Sequence, residues 1–315
     1  MLPDNLQDLI HAKYEAAQAK RAIEFTKTTT SKLKDPESGL KYVVSFAEHL
    51  QKKPERGDKA LEKVDPFANV EPDLTVLESV NDDYRLVLNR YPVTPEHILL
   101  ITKDFKPQTS ALSPKDLMTG YKLLDKLDDD EQRFMLFYNC GANSGSSVDH
   151  KHLQLMRMPE KFTAFQDMLC KGEQHFIPGP QKEPLQDKRV SFSHYVLPLP
   201  EEAVKVTEDL LAMSYVAVLQ RALTHFQNWA ADKPDLETAY NFIMTKQWIC
   251  IVPRSKPASE EYRIGFNSTA YLGLVLVKWE DTLKKITESP QILAKVLMEC
   301  SFPNTAGEKS TEYNY

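Results

Sequence analysis

Asn139-Cys140-Gly141-Ala142-Asn143-Ser144-Gly145-Ser146-Ser147-Val148-Asp149-His150-Lys151-His152-Leu153-Gln154 sets a polar, glycine-punctuated loop directly before an extended run. A strand has a side-chain period of two, so His150, His152 and Gln154 project from one face while Lys151, Leu153 and Leu155 project from the other. Two imidazoles and an amide then share one small site. The loop ahead of them is rich in backbone N–H groups and hydroxyls, and its glycines permit the positive φ angles of a phosphate-wrapping turn. Phosphate beside imidazole points to nucleotidyl or phosphoryl chemistry.

Working outward, residues 74–77, 84–88 and 97–102 read as antiparallel strands, with Tyr91-Pro92-Val93-Thr94-Pro95 joining the last two. Ser113-Pro114-Lys115-Asp116 is a helix start whose buried stripe is Leu117, Tyr121, Leu124 and Leu127. A strand over 134–139 delivers the chain into the loop. Toward the N-terminus, Leu6, Leu9, Ile10, Tyr14 and Ala17 recur at helical spacing. Residues 31–70 read as loop-dominated, with one β-like run at 42–46. Beyond Met158 the chain is irregular to Gln186, and Pro178, Gly179, Pro180 and Pro184 place a soft boundary near 184. The halves are 1–184 and 185–315, in one compact unit. The second half predicts a strand over 190–197, a long helix over 202–231, paired strands over 239–245 and 248–252, a strand over 271–278, and helices after Glu280 and Pro290. Strands and helices come in runs, which favours α+β with an antiparallel sheet over a doubly wound parallel one.

The chain has 315 residues, 42% of them hydrophobic, and 39 basic against 45 acidic side chains give a net charge of −6. That balance argues against nucleic acid or an anionic membrane as the main partner, so a polyanionic ligand must find local positive charge. Cys140, Cys170, Cys250 and Cys300 are far apart and fit neither a disulfide framework nor a zinc ribbon, which suits a reducing cytosol or nucleus. Residues 1–22 hold neither a signal-peptide core nor a membrane span. No feature fixes an oligomeric state, and a monomer is the default expectation.

A neutral imidazole can attack phosphorus if its other nitrogen donates to a fixed acceptor, and a covalent intermediate divides one hard displacement into two. Backbone N–H groups of Gly145, Ser146 and Ser147, with the Gln154 amide, could stabilise the charge gathering on the equatorial oxygens. A His-x-His pair on a strand also suits zinc. Here Gln154 is a poor third ligand and Asp149 faces away, so no metal is expected on the protein itself. The Asn-Ser-Gly-Ser-Ser run alone would read as a flexible connector.

The loop with His150-Lys151-His152-Leu153-Gln154 resembles the histidine-triad superfamily, in the branch where glutamine replaces the third histidine. Asn89-Arg90-Tyr91-Pro92 and Pro95-Glu96-His97-Ile98-Leu99-Leu100 are similar to the signature that precedes the triad there. Further stretches, among them Asp65-Pro66-Phe67, Met158-Pro159-Glu160-Lys161-Phe162, Val252-Pro253-Arg254-Ser255, Gly265-Phe266-Asn267-Ser268-Thr269 and Phe302-Pro303-Asn304-Thr305-Ala306-Gly307, resemble the fungal diadenosine tetraphosphate phosphorylases, also called ATP adenylyltransferases. The resemblance implies a histidine-triad-like antiparallel sheet with flanking helices and a second α/β half packed on it. It implies reversible phosphorolysis of diadenosine tetraphosphate to ADP and ATP, with AMP carried on a histidine and an ADP-sulfurylase side activity. It makes His152 the nucleophile, Gln154 the holder of a non-bridging oxygen and His150 a supporting group. Gly145, Ser146, Ser147 and Val148 fall at phosphate-loop positions, and Lys53, Asn89, Arg90, Asn139, Asn267, Ser268, Thr269, Leu274 and Lys278 at nucleotide contacts. Val148 and Leu274 depart in type from the family, which has a longer side chain and methionine there. No organic cofactor is implied, though a divalent cation such as Mg²⁺ commonly travels with a polyphosphate.

Each residue also has a plain reading. Lys53, Arg90 and Lys278 suit solvated surface, Asn267 to Thr269 suit a turn, and His97 suits a structural role. Other enzymes remain open: a histidine-triad hydrolase, or a transferase such as a hexose-phosphate uridylyltransferase. So does a catalytically silent nucleotide-binding regulator.

Overall fold

The computed structural model describes residues 2–48, 65–129, 131–179, 181–231 and 235–308, and Lys53 lies outside the described residues. The first part runs α1 (Leu6–Ala19), β1 (Thr29–Lys34), β2 (Lys41–Phe46), β3 (Thr75–Val80), β4 (Tyr84–Leu88), β5 (Ile98–Thr102), α2 (Pro114–Leu127), β6 (Phe134–Cys140), β7 (His152–Arg157) and α3 (Phe165–Cys170). The second runs β8 (Tyr195–Pro198), α4 (Glu208–Ala230), β9 (Ala239–Met244), β10 (Trp248–Arg254), the short β11 (Ala258–Ser259) and β12 (Ile264–Gly265), β13 (Leu274–Val277), α5 (Glu280–Glu288) and α6 (Gln291–Glu299).

Eight strands form one sheet in the order β3-β4-β5-β7-β6-β9-β10-β8, and every pairing in it is antiparallel. The β6–β9 ladder, from Leu136↔Met244 to Cys140↔Tyr240, carries the sheet across the stretch around 184. Helices α1, α2 and α4 cover one face through Leu6, Ile10, Leu117, Leu124, Leu211 and Val218. The other face is covered by the small sheet β1-β2-β13 and by α6, through Val44, Val275, Val277, Leu293 and Val296. The central strands are therefore buried on both sides. That explains why β6, β9 and β10 are apolar over nearly their whole length instead of alternating.

Helix α2 begins where its sequence predicts. Ser113 Oγ accepts from Asp116 N at 3.1 Å, and Asp116 Oδ2 accepts from Ser113 N at 2.7 Å, a reciprocal capping box with Pro114 in the first turn.

Four expectations change. The stretch read as loop-dominated from 31 opens inside a β1–β2 hairpin that runs from Thr29 to Phe46, and its first strand, Thr-Thr-Ser-Lys-Leu-Lys, is too exposed to show an apolar face. The strand expected from 190 begins only at Tyr195, because the preceding residues bond to the C-terminal segment: Ser193 N donates to Phe302 O at 2.7 Å and Asn304 Nδ2 to Val190 O at 2.6 Å. The strand expected over 271–278 is a 3₁₀ turn, Ser268–Leu272, followed by β13. Gly273 separates them at φ +105°, and β13 then pairs parallel to β2, the one departure from the antiparallel pattern among the described residues. The long helix is preceded by its own 3₁₀ turn at Ala203–Lys205 and starts at Glu208, capped by Thr207.

Candidate active site

Gln108 ties the end of β6 to the start of β7. Its Oε1 accepts from His152 N at 2.8 Å and its Nε2 donates to Asn139 O at 3.0 Å, while its own N–H donates to Asp149 O at 2.8 Å. Regular strand begins at His152, two residues later than the pattern predicts, yet the alternation holds. The Phe67 ring stands edge-on to His150 and to His152, with centroids 5.7 and 5.2 Å away, so both imidazoles lie on one side. Lys151 goes to the other. There its buried ammonium meets Asp116 Oδ2 and the Ala111 carbonyl, each at 2.8 Å, and Tyr84 OH donates to Asp116 Oδ1 at 2.6 Å. A buried ammonium is tolerated only when paired in this way.

His152 Nδ1 lies 2.8 Å from the carbonyl oxygen of His150. A carbonyl can only accept, so the proton sits on Nδ1 and Nε2 keeps its lone pair. Burial pushes the His152 pKa down to about 4, the charge of the neighbouring His150 ring adds to this, and the bond to the His150 carbonyl opposes it. The ring is therefore neutral at physiological pH. His150 is gripped at both nitrogens: Nδ1 is 2.7 Å from Asp65 Oδ2, and Nε2 is 2.8 Å from the Thr102 carbonyl and 3.0 Å from Thr102 Oγ1.

Beside Gln154 stands His97. Asn89 Oδ1 accepts from Tyr91 N at 3.0 Å, which turns the Asn89 amide nitrogen toward His97 Nδ1 at 3.1 Å. The His97 proton is thus on Nε2, which is buried without a hydrogen bond of normal geometry among the described residues and borders the Gln154 side chain. Burial brings the His97 pKa to about 4, against the raising effect of Gln154. His97, read as structural, is thus buried between Asn89 and Gln154.

The loop closes as a 3₁₀ turn, Ala142–Ser144, and leaves it through Gly145 at φ +86°. A Cβ on Gly145 would run into the Phe266 carbonyl oxygen, so glycine is required both by the dihedral and by the close approach of the 266–269 segment. Gly145 N donates to Ala142 O at 3.0 Å, so the first amide expected to face phosphate is instead spent on the turn. Asn139 Oδ1 accepts from Asn241 Nδ2 at 2.8 Å, Ser268 Oγ at 2.7 Å and Ser268 N at 3.1 Å. This joins the loop, β9 and the later turn, in which Asn267 Oδ1 accepts from Thr269 N at 3.0 Å.

The structure thus gathers Asn139, residues 145–148, His150, His152, Gln154 and Asn267 to Thr269 around one end of β6 and β7, with Asn89 behind His97. The remaining expected contacts belong to other elements. Arg90 is on the surface in a 2.6 Å ion pair with Glu71. Leu274 opens β13, buried and paired with Val43, and Lys278 follows that strand, partly buried. Sequence reading missed Asp65, Gln108 and Asn241 as members of the site. Only Asp65 carried a signal, in the Asp65-Pro66-Phe67 stretch.

A family model of the Ap4A phosphorylase N-terminal domain matches residues 1–167, and one of the ATP adenylyltransferase C-terminal domain matches residues 188–303. Protein APA1 of Saccharomyces cerevisiae is 50% identical over 320 residues, spanning 100% of this chain and 99% of that protein. Diadenosine 5',5'''-P1,P4-tetraphosphate phosphorylase 2 of the same yeast is 50% identical over 325 residues and is matched over 100% of both chains. The crystal structure of yeast Ap4A phosphorylase Apa2 superimposes with a TM-score of 0.91 at 49% identity over 100% of both chains. The same enzyme in complex with Ap4A gives 0.89 at 47% identity, covering 97% of this chain and 100% of that one. With both halves matched by the family's models and half of its residues shared with yeast members along its full length, the chain belongs to the Ap4A phosphorylase family.

Proposed function

We propose that the protein cleaves diadenosine tetraphosphate with inorganic phosphate to ADP and ATP, reversibly, through an adenylyl group carried on His152. The observation that carries this reading is the single bond from His152 Nδ1 to the His150 carbonyl, which leaves Nε2 as an unprotonated, buried nucleophile. In the first displacement Nε2 bonds to the α-phosphorus, the bond from that phosphorus to its bridging oxygen breaks, and ATP departs. In the second, an oxygen of inorganic phosphate bonds to the same phosphorus, the P–N bond breaks, and ADP departs. Gln154 donates to a non-bridging oxygen, and the amides of Ser147 and Val148 take over the cradle that Gly145 does not supply. Asn139 and Asn267 to Thr269 hold the nucleotide nearby, while Lys53, Asn89, Arg90, Leu274 and Lys278 belong to the wider substrate path. Sulfate in place of phosphate as the second acceptor, with ADP as donor, accounts for an ADP-sulfurylase side reaction.

A divalent cation such as Mg²⁺ would travel with the polyphosphate, as such ions commonly do, and its charge would screen the oxygens that the two displacements must approach. No described helix is long and apolar enough to cross a membrane. A cytosolic or nuclear setting fits the thiols of Cys140, Cys170, Cys250 and Cys300, all free. The test is product analysis. Incubation with diadenosine tetraphosphate is expected to give ADP and ATP in equal amounts, and only when phosphate is present. AMP and ATP formed at the same rate without phosphate would make the enzyme a hydrolase; no turnover with retained nucleotide binding would make it a regulator.

A further inference from the structure

Arg254 ends β10 with its side chain wholly buried. Every nitrogen of the guanidinium is engaged. Nε donates to Cys300 O at 2.8 Å, Nη2 to Lys256 O at 2.8 Å, and Nη1 to Asn241 Oδ1 at 2.6 Å and to the carbonyls of Ser144 and Phe266, both at 3.1 Å. The group also lies over the Tyr271 ring, 4.8 Å from its centroid. All of these partners are neutral. The other two buried cations among the described residues each meet a carboxylate, Lys151 with Asp116 at 2.8 Å and Arg221 with Glu183 at 2.9 Å. Among the described residues Arg254 meets none.

A buried charge without a counterion is costly, and burial draws the Arg254 pKa below the ordinary guanidinium range, although the group stays charged. Its location says what the charge is for. Two of the four carbonyls it holds, both on Nη1, belong to the residue before Gly145 and the residue before Asn267, in the two backbone segments that line the phosphate end of the site. A trans peptide points its C=O and the next N–H in opposite directions, so drawing the Phe266 carbonyl onto Arg254 turns the Asn267 N–H away from it. Neutral carbonyls solvate the guanidinium but do not cancel its charge, and in a low-dielectric interior that charge acts over several ångströms.

We propose that Arg254 is a positioning residue for the polyphosphate: a fixed counter-charge one backbone layer behind the phosphate loop, which clamps the 144–145 and 266–267 segments together and is balanced by the bound ligand. This rests on the nucleotide-site reading above. Its contribution grows with the number of charges on the ligand, which a purely structural clamp would not do. The experiment is calorimetric titration of the full chain and of its R254M and R254K variants with AMP, ADP and ATP, at fixed ionic strength without divalent ions. The wild-type chain is expected to bind more tightly from AMP to ATP. R254M is expected to lower the ATP-to-AMP affinity ratio by about tenfold or more. R254K keeps the charge but not the fork, and is expected to weaken all three nucleotides while holding that ratio within about threefold. Equal losses for all three nucleotides in R254M, or no loss, overturn the proposal. If R254M does not fold, R254K decides, and a collapsed ratio in it overturns the proposal equally. A wild-type chain that binds no nucleotide overturns the site reading itself, a result separate from a failure of the variants.

Discussion

Of the two histidines in the motif, the geometry gives them opposite tasks. His150 has both nitrogens taken, by Asp65 and by Thr102, and offers its carbonyl to its neighbour; among the described residues His152 has one nitrogen taken and the other open. With its pKa lowered to about 4, His152 keeps its neutral, nucleophilic form as pH falls through 6.5, and loses it only on the approach to 4. The first-turnover rate of adenylyl-enzyme formation is therefore expected to drop less than twofold between pH 7 and 5.5, as read by rapid quench. A solvated imidazole would lose about eightfold over that interval, and such a fall would contradict the buried, neutral nucleophile. At this scale the sequence discloses His150, His152 and Gln154 readily, because strand periodicity alone puts them together. Gln108 is silent in it, and Asp65 and Arg254 show only as members of family-like stretches, with no sign of what they touch. Each is of a type usually found solvated, and each becomes informative only through partners supplied by distant segments, such as His150 for Asp65 and Ser144 for Arg254.

Among the elements, the loop between β6 and β7 depends most on a single residue. Gly145 combines a left-handed φ of +86° with direct approach to the Phe266 carbonyl, whereas Gly172 has a similar φ of +79° with open space around it. Alanine at either site costs about 1–2 kcal/mol of backbone strain. Only at 145 must the phosphate loop and the 266–269 turn also separate. Gly145→Ala is therefore expected to lower kcat/KM by roughly tenfold or more beyond any effect of Gly172→Ala at comparable thermal stability. Equal kinetics in the two variants would show that the loop tolerates the displacement. Elements with an unambiguous local signature emerge from sequence: α2 through its capping box, and β4, β5 and β6 through apolar runs. Elements defined by a neighbour do not. β1 is a largely exposed strand whose ladder is with β2, and the segment before β8 is kept irregular by bonds to residues 302–304.

Across the whole molecule, the fold class agrees with its sequence reading: an α+β protein with a large antiparallel sheet and flanking helices. What composition and periodicity do not convey is continuity. The β6–β9 ladder makes one sheet from segments on both sides of residue 184, and the Asn139–Asn241–Ser268 cluster places the site on that seam. Long-range pairing of this kind has no local sequence marker, since any two apolar strands can pair. The proposed nucleophile, His152, precedes residue 184 and the Asn267 to Thr269 turn follows it, so the covalent step tests the assembly as a unit. The most direct measurement is mass spectrometry of the protein after brief exposure to diadenosine tetraphosphate without phosphate. The expected result is one adenylyl group per chain, on the peptide containing His152, discharged as ADP when phosphate is added. An unmodified chain that still releases ATP, or an adenylyl group on any other residue, would contradict the account.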